Sequence, residues 1–193
     1  MKQKIVLKIP TPALIREYNK KFEKDERYFL ADQAIIELFE KFPNNTDVKH
    51  ILLKLSVIND LYSTNIFATF EMAKHILSLN VDNDIIKGTP EIVNRIANIT
   101  ISGKNKNFYS FATKYCNWHN QEKYTIYDSF VDKILRAYRD QTNFDNFANE
   151  NLRDYKKFKV ILTKFRQCFK LHEFDFKYLD KFLWIYGKEI YKR

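Results

Sequence analysis

The carboxylate best placed for chemistry in this chain is Asp128. It follows the run Tyr124-Thr125-Ile126-Tyr127 and opens a segment in which Phe130, Val131, Ile134, Leu135 and Tyr138 recur at helical spacing. A helix N-terminus favours negative charge and so helps keep such a carboxylate ionised. An ionised carboxylate can stabilise a positive charge that develops on a substrate and orient an attacking water. The same position has a plainer use, because an Asp N-cap accepts the backbone N–H groups of the first turn. Eighteen positions before Asp128 stands Ser110, on a run whose Phe108, Phe111, Ala112, Tyr115 and Cys116 form a helical stripe. That stripe predicts a helix over about 105–117, with Lys114 on it, followed by a polar loop that carries Trp118 and His119. Trp118 and His119 in such a loop have two uses, stacking on a nucleobase or packing against the domain.

Two further segments hold polar groups at suggestive spacing. Ile51 to Ile66 is an apolar helix that ends in the amide- and hydroxyl-rich turn Asn59-Asp60-Leu61-Tyr62-Ser63-Thr64. Asn59, Ser63 and Thr64 can hydrogen-bond a bound group there, and Tyr62 and Tyr127 can offer aromatic faces; capping and core packing are the plain alternatives. Ile101 to Asn107 reads Ile-Ser-Gly-Lys-Asn-Lys-Asn, a turn at Gly103 flanked by Lys104 and Lys106. It is either an anion-binding turn at a helix N-terminus or a solvated basic loop.

Taken together, these segments resemble the helix-hairpin-helix DNA glycosylase superfamily, adenine glycosylases and archaeal 8-oxoguanine glycosylases in particular. In that superfamily a helix after the hairpin leads through a short apolar segment into a catalytic Asp that opens the next helix, as Ile126-Tyr127-Asp128-Ser129-Phe130-Val131 does here. The matching motifs cover roughly residues 47–138. The resemblance implies a two-lobed helical bundle and duplex DNA as partner, with one base flipped into a cleft between the lobes. It also implies Asp128 as the catalytic acid and a base pocket lined by Asn59, Tyr62, Ser63, Thr64, Ser110 and Tyr127. DNA contacts are implied at Gly103, Lys104, Lys106, Lys114, Trp118 and His119. Bifunctional members carry a lysine where this chain has Ser110, which implies excision without a Schiff base. The family's hairpin usually has a Gly-x-Gly turn, whereas this one has a single glycine. A non-catalytic DNA-binding or protein-interaction module on the same scaffold is the alternative.

The elements that would position these groups are helical. Glycine occurs only three times and proline four, and Asn-Gly and Asp-Gly hairpin pairs are absent. Thr11-Pro12 predicts a first helix through about Phe22, and Leu30 to Phe42 a second that stops at Pro43. A long buried helix follows from Asp47, then helices at about 67–79 and from Pro90 to about Ala97. After the polar segment 140–151, expected as a linker, two strong stripes complete an all-α single domain of two lobes: Tyr155 to Phe169, and Phe176 to Tyr186. The start Ile5-Val6-Leu7-Lys8-Ile9 reads as a strand or an arm.

A net charge of +9 with a pI near 9.3 favours an anionic partner. Many of those cations lie between Arg153 and Lys170, and basic composition by itself yields the same surface. Cys116 and Cys168 lack CxxC spacing, and the four histidines show no HExxH pairing, so neither a metal nor another cofactor is expected. The cysteines read as free thiols of a reducing compartment. Walker A, GxGxxG and GxSxG patterns are missing, as is a signal peptide or an apolar run of about 20 residues. The expectation is a cytoplasmic monomer, nucleoid-associated if the source is bacterial.

Overall fold

The computed structural model describes residues 6–191, and helix starts in it follow the caps the sequence supplies. The Thr11 hydroxyl accepts the Leu14 N–H to open α1 (Pro12–Lys24). Asp25 caps α2 (Glu26–Lys41) and Asp47 caps α3 (Val48–Leu61), each with its side chain on a first-turn N–H. Three shorter helices follow: α4 (Thr69–Leu79), α5 (Asp82–Lys87) and α6 (Glu91–Ala97). Strands β1 (Asn98–Ile101) and β2 (Lys104–Asn107) form an antiparallel hairpin before α7 (Tyr109–His119). Then come α8 (Ser129–Thr142) on the Asp128 cap, a 3-10 turn at Asn149–Arg153, α9 (Tyr155–Cys168) on the Asp154 cap, and α10 (Phe176–Tyr191). Among the described residues the chain is therefore predominantly helical, as the stripes predict. No described helix is long and apolar enough to cross a membrane.

Two compact units share the chain, divided at Lys24/Asp25 and Tyr127/Asp128. The first unit joins the N-terminal segment and α1 to everything from Asp128 onward. Helix α1 buries Leu14, Ile15, Tyr18 and Phe22, and α10 contributes Leu179, Phe182, Leu183 and Tyr186 to the same core. The Tyr18 ring meets Tyr186 edge-on at 5.0 Å. Helices α8 and α10 approach so closely that a Cβ on Gly187 would stand 3.0 Å from the Phe130 carbonyl oxygen. Residues 6–10 form an arm without regular structure; Ile5, the first residue of the expected strand or arm, lies outside the described residues. Its backbone is held by side chains. Gln141 accepts from Leu7 N at 2.7 Å and donates to Leu7 O at 2.8 Å, while Tyr186 and Tyr138 serve the N–H and carbonyl of Lys8. The polar segment 140–151, expected as a linker, is internal to this unit; α8 runs through its start and ends at Asn143 in a left-handed cap.

The second unit, Asp25–Tyr127, holds α2 to α7. Its core is Ile51, Leu55, Ile58, Met72, Ile76, Ile92, Val93, Ile96, Phe111, Ala112 and Tyr115. The buried Lys54 sits among them. The Lys54 ammonium donates to Phe42 O, Asn44 O and Asn45 Oδ1 at 3.0, 3.0 and 2.8 Å, so it closes the C-terminal end of α2. Asn45 in turn donates from Nδ2 to Asp82 at 2.6 Å, and Tyr115 hydroxyl donates to Asn45 Oδ1. His119 Nε2 lies 3.3 Å from Lys54 Nζ, with its ring against Phe39 and Tyr115. Burial pushes the Lys54 ammonium down to about 8, with Asp82 acting the other way. Burial, and then the Lys54 charge, hold His119 well below the ordinary histidine range.

The hairpin is a correction to the expected helix over 105–117. Ser102 and Gly103 both have positive φ, 49° and 73°, as a two-residue turn of the I′ kind requires. Thr100 Oγ1 bonds Asn105 Oδ1 at 2.8 Å, and Asn107 Nδ2 bonds Asn98 Oδ1 at 2.7 Å, across the strands. Ile99, buried, and Ile101 share the other face with Lys106 and Lys104.

Because His119 stays neutral in the folded chain, lowering the pH below the ordinary histidine value near 6.5 protonates the unfolded chain first and so removes stability. The expected loss is about 1.4 kcal/mol per pH unit between roughly pH 6.5 and 5. His119→Gln keeps an acceptor toward Lys54 and should remove that part of the slope. Urea melts across the window check it; an unchanged slope in the variant places the acid sensitivity elsewhere.

Candidate functional site

Asp128 takes the extended backbone of an N-cap, with φ −147° and ψ 180°. Its Oδ1 alone does the capping, accepting from Phe130 N at 2.8 Å and Val131 N at 2.9 Å. The other oxygen, Oδ2, takes no hydrogen bond among the described residues, and the side chain is half-buried. The carboxylate thus divides its labour. One oxygen is committed to the helix, and the second remains an acceptor with the helix dipole behind it.

Within the second unit, the residue that immediately precedes Asp128 is gripped by three side chains of α7. The Tyr127 carbonyl accepts from Ser110 Oγ at 3.1 Å and Lys114 Nζ at 3.2 Å; the Thr113 hydroxyl lies 3.3 Å from it and shares its one proton with Ser110 O at 3.0 Å. The Tyr127 N–H donates back to Thr113 Oγ1 at 3.1 Å. Ser110, Thr113 and Lys114 stand at i, i+3 and i+4, one face of the helix, which is why they converge on a single peptide. Lys114 also donates to Ser110 Oγ at 2.7 Å and lies 5.3 Å over the Tyr62 ring. Trp118 Nε1 donates to the Tyr62 hydroxyl at 3.2 Å, and the Tyr127 ring packs on Tyr109 at 4.9 Å. Ser110, Tyr62 and Tyr127, expected to work together, are thus brought together. Thr113 was not anticipated; its signal was its place one turn from Ser110.

Other expected residues have different employment. Asn59 spends its amide on its own loop, donating to Ile66 O and accepting from Thr64 Oγ1 and Ile66 N. Thr64 is committed to Asn59, and Ser63 is exposed with φ 49°. Lys114 and Trp118 are buried at 2% and 7% exposure, and His119 faces Lys54 and Phe39, so the DNA contacts expected of these three give way to internal bonds. Trp118 and His119 belong to the last turn of α7 rather than to a loop, because Asn120 closes the helix with its N–H on Cys116 O. Gly103, Lys104 and Lys106 are exposed on the hairpin, which ends before α7 starts, so the turn is not at a helix N-terminus. Among the described residues no group of three His, Cys, Asp or Glu side chains could hold a metal.

Thr113 Oγ1 accepts the Tyr127 N–H, so Thr113→Val, which preserves shape, should leave a buried N–H unpaired and cost about 2–3 kcal/mol. Ser110→Ala takes a donor from the Tyr127 carbonyl and the 2.7 Å acceptor from the buried Lys114 side chain, and should cost about 1.5–3 kcal/mol. Denaturant melts in which either variant loses less than about 0.5 kcal/mol would show that these side chains do not act on Tyr127 as described.

A family model, the HI_0787_N N-terminal domain, matches residues 14–123, from α1 to the loop after α7, and stops short of Asp128. An uncharacterized protein of Haemophilus influenzae is 40% identical over 151 residues, which span 78% of this chain and 72% of that protein. No solved structure matches the chain. More than half of the residues fall inside the family model, and the chain belongs to the HI_0787_N N-terminal domain family.

Proposed function

We propose that the protein hydrolyses the bond between a base and its sugar in duplex DNA, with Asp128 as the catalytic carboxylate. The observation that carries this reading is the divided carboxylate: Oδ1 fixed by two first-turn N–H groups, Oδ2 without a hydrogen bond among the described residues. As the glycosidic bond breaks, the base leaves with the bonding electrons and positive charge gathers on the sugar; the base takes a proton from solvent, and the attacking water returns one to solvent as its oxygen bonds the sugar. The carboxylate stabilises that charge and orients the water whose oxygen then bonds the sugar carbon. The target nucleotide has to leave the base stack before such a group can reach it. In this reading the chain folds as a helix-hairpin-helix glycosylase.

The reaction is hydrolytic. Ser110 stands where lyases of that superfamily carry an amine, and the Lys114 ammonium next to it is held by Ser110 Oγ, Ser110 O and Tyr127 O. Those hydrogen bonds hold the Lys114 side chain on the peptide before Asp128. Its work is to brace that peptide. The cap itself favours a second reading, a DNA-binding module in which Asp128 does nothing but start α8.

Duplexes carrying single modified bases, incubated with the protein and developed with alkali, test the reading. A cut that appears only after alkali is expected, and borohydride should trap no adduct. Asp128→Asn keeps the shape and much of the cap, costing about 1 kcal/mol or less in stability, but should lower excision roughly a hundredfold or more. Full activity in that variant would leave Asp128 as a cap alone. An adduct trapped by wild type and lost in Lys114→Met would move the chemistry to the lysine.

A further inference from the structure

From Tyr155 to His172 the chain has no aspartate or glutamate, and it carries Lys156, Lys157, Lys159, Lys164, Arg166 and Lys170. Helix α9 fills most of that stretch and sorts it into two faces. Tyr155, Phe158, Ile161, Leu162 and Phe165 are buried in the first unit, each 3% exposed or less. The opposite side presents Lys156, Lys157, Val160, Thr163, Lys164 and Gln167 to solvent. Lys164 bonds Asp145 at 2.7 Å and Lys157 approaches Asp154 at 3.6 Å, yet their side chains remain 50% and 60% exposed, so both ammoniums face water. Such exposed pairs contribute little to stability, and nothing in base excision uses this face.

The chemistry of the face selects its partner. A helix that lies in a lipid interface needs an apolar side to bury, and α9 has already spent its apolar side in the core. A protein partner docking by a helix or groove needs several apolar anchors, whereas this face offers Val160 among amides, hydroxyls and lysines. A phosphate backbone needs none. It takes flexible ammonium groups as point charges, and B-DNA carries one negative charge per roughly 1.7 Å of axis. Lys157 and Lys164 lie seven residues apart, about 10.5 Å along the helix, so a backbone crossing α9 keeps a phosphate within reach of each. We infer that the exposed face of α9 docks the phosphate backbone of duplex DNA through Lys156, Lys157 and Lys164, holding the duplex without reading its sequence. The choice of DNA as the polyanion rests on the base-excision reading; the face itself does not.

Fluorescence anisotropy with an unmodified 24-base-pair duplex, titrated from low to high salt, tests it. Replacing all three lysines by Ala should lower the slope of log affinity against log salt by about 2.7 and weaken binding more than tenfold at 0.1 M salt, since each lost phosphate contact removes about 0.9. Lys156→Ala alone should lower it by about 0.9, and it perturbs no ion pair of the described residues. A control that removes the same charge elsewhere, Lys20→Ala with Lys24→Ala and Lys87→Ala, should bind nearly as wild type. If the control weakens binding as much as the α9 variant, net charge alone is at work and the face is not a docking site. Failure of wild type to bind the duplex at low salt, or tighter binding to phosphatidylserine vesicles than to the duplex, would also overturn it. Excision measured on the same variants separates the two readings. An α9 variant with unchanged slope and unchanged excision sinks this inference alone, and a protein that binds through α9 yet excises nothing sinks the base-excision reading alone.

Discussion

The backbone at Tyr127 lies outside regular structure, with a buried N–H and carbonyl and no strand beside it to pair with them. Leaving such groups unpaired costs about 1–3 kcal/mol each, so the chain has to bring partners to them. It does so with three side chains one helical turn apart: Ser110, Thr113 and Lys114. That convergence fixes the geometry of the last residue before the Asp128 cap. It also explains why a lysine is buried there, since its three acceptors and the Tyr62 ring replace the water it has lost.

The same solution recurs wherever non-helical backbone is buried. Gln141, Tyr138 and Tyr186 serve the N-terminal arm, Asn117 Nδ2 takes the Tyr124 carbonyl at 2.7 Å, and Lys54 takes the carbonyls that end α2. Polar side chains rooted on helices act as the missing strand. This arrangement makes the interior sensitive to charge. Lys54 and His119 coexist because the imidazole stays neutral, and a proton on it would set two cations 3.3 Å apart. Satisfied networks of this kind are rigid, and partly satisfied ones are costly.

Helices with a stripe and a cap were legible in the sequence: Thr11-Pro12 opened α1, Asp47 and Asp128 capped α3 and α8, and the two C-terminal stripes became α9 and α10. The hairpin was not, because Lys-Asn-Lys-Asn has little strand propensity and its turn is Ser-Gly rather than Asn-Gly; pairs between Thr100 and Asn105 and between Asn98 and Asn107 support it. Lys54 and Lys114 also escaped, since a lysine on a helix reads as a solvent residue until the acceptors around it are known. The unit boundary at Lys24 was hidden for a related reason. It depends on α1 packing with α10 across the whole length of the chain, and no local composition marks that. For the site, the position of Asp128 was readable and its partners were half so: Ser110 and Tyr62 joined the Tyr127 cluster, whereas Asn59, Trp118 and His119 turned inward.

Hydrogen exchange at the Tyr127 amide tests the grip most directly. With its N–H on Thr113 Oγ1 and its carbonyl within reach of three donors, this amide should exchange only when the second unit opens, as slowly as the buried amides of α7 such as Cys116. Exchange as fast as in an unprotected loop, while Cys116 stays protected, would contradict it. The residue before Asp128 would then be held by nothing that the α7 side chains supply.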